Sequence, residues 1–212
     1  MKGLYLHAIT GELASLLSTE AAVGFFAGDG NSSLITLEII SCGLTTLHPG
    51  IFDGLRKLIN LDLNRNGLET VDVALFTGGL ESMDTLNLHG NQLNYLPPGI
   101  FDVLPKITSL RLDWNNFTSF LPGVFGPSLV TLLDLKLMGN YLTEITKAVY
   151  PQENLISLTV IKFSLNNISY CENGTFDDTI LVRGTSLCNN RWTLALVEDD
   201  YLSYQDYLAS LE

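Results

Sequence analysis

Charge is scarce in this sequence. Asp, Glu, Lys and Arg make up 16% of its 212 residues against 46% hydrophobic ones, which excludes a disordered chain and supplies enough apolar surface for a core. Basic charge is scarcer still. With 11 Lys and Arg against 23 Asp and Glu, the formal net charge is −12, which argues against a nucleic-acid partner. No run of about 18 apolar residues occurs, so no membrane insertion of this segment is expected. The N-terminus, MKGLYLHAIT, has a short apolar run broken by His7 and Thr10, a poor match to a cleavable leader. For a secreted parent, the expectation is a fragment that lacks its leader.

Converging catalytic groups are missing too. There is no HExxH, GxSxG or P-loop, and Gly28-Asp29-Gly30 is too brief for a phosphate loop. His7, His48 and His89 share no carboxylate spacing, so neither an enzyme nor a cofactor is expected. The cysteines, Cys42, Cys171 and Cys188, are too few for a disulfide-built scaffold and fit no zinc pattern, so no metal site is expected either.

What the sequence does have is a repeat. Residues 58–68, LINLDLNRNGL, read L-x-x-L-x-L-x-x-N-x-L without a mismatch. Residues 34–44, 83–93, 107–117, 132–142 and 158–168 follow the same eleven positions, with Cys42 in place of Asn in the first copy. The fourth position falls at Leu37, Leu61, Leu86, Leu110, Leu135 and Ile161, in steps of 24, 25, 24, 25 and 26. A shortened copy, Ile180, Val182, Thr185 and Leu187, ends at Cys188.

Each L-x-L is expected to be a short strand with alternate residues turned inward. Stacked coils then form a parallel sheet over one continuous core. The Asn at the ninth position should sit inside and pair backbone groups of its own and the next coil, and Cys42 should be a buried thiol. Phe52, Phe76, Phe101, Phe125, Tyr150 and Phe176 recur at the same period and should stack as an inner spine.

The repeat, with PGIFDGL (49–55), PGIFDVL (98–104) and PGVFGPSL (122–129), resembles the typical, extracellular subclass of leucine-rich-repeat proteins, which includes Toll-like receptors and Slit. The resemblance covers residues 34 to 188. It implies an α/β fold: a right-handed solenoid with a curved parallel β-sheet on the concave face and little regular helix on the convex side. It also implies recognition of a protein or other ligand on that concave face.

The ends depart from the repeat. Residues 1–33 are expected to be a degenerate coil or cap, since Leu13 to Leu17 match the motif poorly. Residues 189–212 carry a 3–4 apolar spacing from Leu194 to Leu211, which predicts an amphipathic capping helix. Cys171 and Cys188 bracket the last strand. A disulfide between them would close a loop of about 17 residues and add roughly 3 kcal/mol; two reduced core cysteines are the alternative.

The register also predicts which side chains share a column on the concave face. The fifth position runs Glu38, Asp62, Asn87, Arg111, Lys136 and Lys162, from acidic to basic. The seventh runs Ile40, Asn64, His89, Asp113, Met138, Ser164 and Arg183, and the eighth contains Trp114 between Gly90 and Gly139. The candidate ligand-binding residues are therefore Asp62, Asn64, His89, Arg111, Asp113, Trp114, Lys136, Met138 and Lys162, with an exposed Trp114 as the anchor. Sequons at Asn31, Asn116, Asn167 and Asn173 join the cysteine pair in favouring an extracellular receptor or adhesion module. An intracellular scaffold that binds a protein through the same face is the alternative.

Overall fold

A computed structural model describes residues 3–8, 11–27, 33–176 and 181–183. The L-x-L segments are strands: β1 (Gly3–His7), β2 (Thr36–Ile40), β3 (Asn60–Asp62), β4 (Thr85–Asn87), β5 (Ser109–Arg111) and β6 (Asp134–Lys136). After the two-residue β7 (Glu144–Ile145) come β8 (Val160–Lys162), β9 (Tyr170–Cys171) and β10 (Leu181–Arg183). Among the described residues one parallel sheet runs in the order β1-β2-β3-β4-β5-β6-β8-β10, and β7 pairs with β9 in a separate two-stranded parallel sheet. Parallel neighbours need a long crossover, and here each crossover is one turn of the solenoid.

The inward residues form one core that runs the length of the stack, from Leu37, Leu61 and Leu86 to Leu110, Leu135 and Ile161, all with no exposed surface. Opposite the sheet the chain is mostly turns, with short 3-10 stretches at Val73–Phe76 and Pro127–Thr131. The spine aromatics pack beneath this side. Phe52, Phe76, Phe101, Phe125, Tyr150 and Phe176 are all buried, and the Phe125 and Tyr150 rings stack at 5.1 Å. Burial of each such ring contributes about 1.5–3 kcal/mol.

The ninth-position asparagines bind coil to coil, but backward rather than forward. Asn115 Oδ1 accepts from the Leu93 amide of the preceding coil at 3.0 Å. Its Nδ2 donates to Leu88 O of that coil and to Leu112 O of its own. Asn66, Asn91, Asn140 and Asn166 repeat this pattern. The reason is geometric: the preceding coil leaves amide groups pointing into the bend, and the Asn amide supplies both a donor and an acceptor. Cys42 is fully buried, with its own amide donating to Asn66 Oδ1.

The sheet is closed by a strand at each end, and at the second of these the register differs from the one expected. At the N-terminus, β1 pairs in register with β2, Leu4 opposite Leu37 and Leu6 opposite Ile39, so residues 3–7 supply a strand of their own. The helix α1 (Glu12–Leu17) follows in the crossover. At the other end, Val182 pairs with Ile161 and Arg183 with Lys162. Arg183 thus belongs to the fifth-position column and not the seventh. The expected capping helix at 189–212, together with Asn31 and Cys188, lies outside the described residues.

Candidate functional site

The strand register sets the fifth-position residues side by side, with Glu38 opposite Asp62, Asp62 opposite Asn87, Asn87 opposite Arg111, Arg111 opposite Lys136 and Lys136 opposite Lys162. Adjacent strands are spaced by about 4.8 Å, so this column is a continuous row of side chains on the outer face of the sheet. It begins acidic and ends basic.

The polar groups of this face are tied to one another. Asp62 accepts from the Asn64 amide and from Nδ2 of Asn64 through Oδ1, and from Asn87 Nδ2 through Oδ2 at 2.9 Å. Farther along, Asp113 is almost completely buried and accepts from Arg111 twice, Nε to Oδ1 at 3.2 Å and Nη2 to Oδ2 at 3.0 Å. His89 Nδ1 lies 2.5 Å from Asp113 Oδ2; the carboxylate accepts, so Nδ1 carries the proton. Burial alone would raise the Asp113 pKa, but the His89 hydrogen bond and the Arg111 charge outweigh it and hold the carboxyl at about 2. Burial would likewise lower the Arg111 pKa, and the Asp113 charge reverses that, so the guanidinium stays charged.

This placement divides the candidate residues. His89, Asp113 and Met138 are buried, which puts them beneath the surface as supports. Asp62, Asn64, Arg111, Lys136 and Lys162 are half-buried and keep surface on the sheet face. Lys136 Nζ lies 3.7 Å from Asp134 Oδ2.

Trp114 is half-buried, not exposed. A Cβ built on Gly139 would lie 2.7 Å from Trp114 Cδ2, so the indole occupies the space the glycine leaves open in the next coil. Trp114 also has a φ of 56°, and so does its whole column in kind: Ala8, Ser41, Arg65, Trp114 and Leu165 are the non-glycine residues with positive φ among the described residues. Gly90 and Gly139 complete that column at 64°. The left-handed turn redirects the chain from the strand into the Asn bend. It lets the eighth-position amide donate to the next coil, Trp114 N to Met138 O at 2.8 Å for example.

Beside Trp114 is a groove of about 440 Å³ lined in part by Gln92, Asn116, Tyr141 and Leu165. Gln92 and Tyr141 were not among the sequence candidates. The signal for them was available, since both occupy the tenth position, the same column as the sequon residues Asn116 and Asn167.

A repeating coil, a parallel sheet and an internal Asn ladder define the class of protein, and comparison with known proteins agrees. A family model described as leucine rich repeat matches residues 56–117. The chain folds as a leucine-rich-repeat solenoid. Among solved structures, the crystal structure of the TLR13–ssRNA13 complex is similar, with a TM-score of 0.61 and 29% identity over 66% of this chain. This chain spans only 19% of that TLR13 chain. No curated protein matches it significantly. Among the described residues no helix is long and apolar enough to cross a membrane.

Proposed function

We propose that this chain is a non-catalytic recognition module that binds a protein ligand on the outer face of its sheet, as part of an extracellular receptor or adhesion protein. The observation that carries the reading is the in-register fifth-position row from Glu38 to Lys162. A core needs no such row, and an ordered set of charges over a rigid sheet orients a partner and speeds its encounter. The network of His89, Arg111 and Asp113 holds the middle of the row in one geometry, so little side-chain entropy is lost on binding. Exposed sequon residues Asn116, Asn167 and Asn173 support the extracellular setting, as does the proposed Cys171–Cys188 disulfide.

A second reading comes from the similarity to TLR13, whose crystal structure is a complex with ssRNA13: the ligand would be a single-stranded RNA. The net charge of −12 favours the protein. One experiment separates the two. The wild-type chain, a Lys136→Glu/Lys162→Glu variant and a Lys106→Glu/Lys147→Glu control, altered outside the row, are immobilised at physiological salt. Each is offered surface proteins from the source cells and, separately, a mixed-sequence single-stranded RNA. The proposal expects a protein retained by wild type and control and lost from the row variant by about tenfold. Retention of the RNA alone, or equal protein retention by all three, contradicts it.

A further inference from the structure

The groove beside Trp114 differs in chemistry from the charged row. Its lining carries an indole, a phenol, Leu165, two glycines and five side-chain amides, three of them the ladder asparagines Asn91, Asn115 and Asn140, and it includes no Asp, Glu, Lys, Arg or His. One of these amides, Asn116, heads the sequon Asn116-Phe117-Thr118. Both Asn116 and Thr118 are exposed.

The tenth-position column gives this wall a fixed spacing. Gln92, Asn116, Tyr141 and Asn167 each donate their amide to the eleventh-position carbonyl of the preceding coil: Leu68, Leu93, Phe117 and Leu142, at 2.8 to 3.0 Å. Successive members therefore sit one coil apart, and Tyr141 stands between two sequon asparagines. Tyr141 is 54% exposed.

We propose that this groove is the seat of an N-linked glycan on Asn116, with its first N-acetylhexosamine ring lying against Tyr141 and Trp114. The sugar comes from a lipid-pyrophosphate-linked oligosaccharide. The Asn116 Nδ2 attacks the anomeric carbon, an N–C bond forms, the C–O bond to pyrophosphate breaks, the lipid pyrophosphate leaves, and the amide nitrogen gives up one proton. The attached ring presents C–H edges of slight positive charge to the negative aromatic faces, while its hydroxyls meet the Gln92 amide. A neutral lining suits a neutral sugar, and a volume of about 440 Å³ lies within the range of ligand sites. Covalent tethering makes weak contacts sufficient, because the ring is held at high effective concentration.

The proposal rests on the extracellular setting proposed above, and the test keeps the two apart. The full chain is directed to the secretory pathway of cultured eukaryotic cells behind an added leader, in a Trp192→Phe background that leaves Trp114 as the fluorophore. Glycopeptide mass spectrometry reads occupancy at Asn116. Four forms are then compared: fully glycosylated, trimmed to a single sugar, and the two sequon-free variants Thr118→Ala and Asn116→Gln. The expected result is an occupied Asn116 and similar Tm values for the full and single-sugar forms. Both should lie about 2–4 °C above both sequon-free variants, with acrylamide quenching of Trp114 reduced about twofold. Tyr141→Ala should shrink the Tm difference. A bare Asn116, or an occupied one with Tm and quenching equal to the sequon-free variants, overturns the seat. Bare sequons in protein from native cells would instead contradict the extracellular setting.

Discussion

Tyr150 takes a place in the spine that the other coils give to Phe, and its hydroxyl is buried without a hydrogen-bond partner among the described residues. Burial pushes its phenol well above the usual value, so the group stays neutral at any ordinary pH. An unpaired buried hydroxyl costs about 1–3 kcal/mol. Tyr150→Phe keeps the ring and the 5.1 Å stack on Phe125, so it should raise the free energy of unfolding in urea by about that amount. Unchanged or lower stability would mean that the hydroxyl is satisfied. Asp113 presents the opposite case, a buried polar group whose partners more than compensate its burial. Its folded pKa of about 2 lies below the ordinary aspartate value of 3.8, so its stabilisation is present above about pH 4 and lost as the pH falls toward 2. Urea midpoints measured from pH 6 to pH 2 should fall more steeply for wild type than for Asp113→Asn below pH 4. Parallel curves would show that Asp113 is not held by His89 and Arg111.

Each coil has the same hinge between strand and Asn bend, a left-handed residue at the eighth position. For side chains other than glycine that conformation costs roughly 1–2 kcal/mol, and Trp114 recovers it through its contact with Gly139. Gly139 has two reasons to be glycine, its φ of 64° and the indole above it. Gly139→Ala should therefore lower stability by about 1–3 kcal/mol and shift Trp114 emission as the indole is displaced. Leu165 is 55% exposed at a φ of 57°, with little packing to offset its backbone, so Leu165→Gly should cost nothing or stabilise by up to about 1 kcal/mol. At this scale the sequence was most legible, because six aligned copies fix which residues turn inward. It was less legible where the period fails. Leu4 and Leu6 carry the L-x-L signal, yet they stand 33 residues before Leu37 and Ile39, beyond the usual step, with a helix in the gap. At β10, a slip of two residues keeps the same alternation of faces, so Ile180 and Val182 fit the motif as well as Val182 and its neighbours do.

Across the whole molecule, the columns were readable and their depth was not. The register put His89 next to Asp113 in one column, but only the bend of the chain buries them and closes the contact with Arg111. Trp114 was legible as an unusual residue between two glycines. That the glycine space would be filled by the indole follows from the left-handed backbone, which a residue list does not reveal. What remains at the surface is a rigid sheet with an acidic-to-basic row, bordered by a neutral groove. Hydrogen exchange, followed by mass spectrometry, tests the central claim most directly. It compares the chain alone with the chain saturated by the protein fraction that wild type retains. The account predicts slowed exchange in peptides covering 85–89, 109–114, 134–138 and 160–164. Protection confined to the opposite side, in peptides covering 72–80, 97–105 and 122–131, would contradict it.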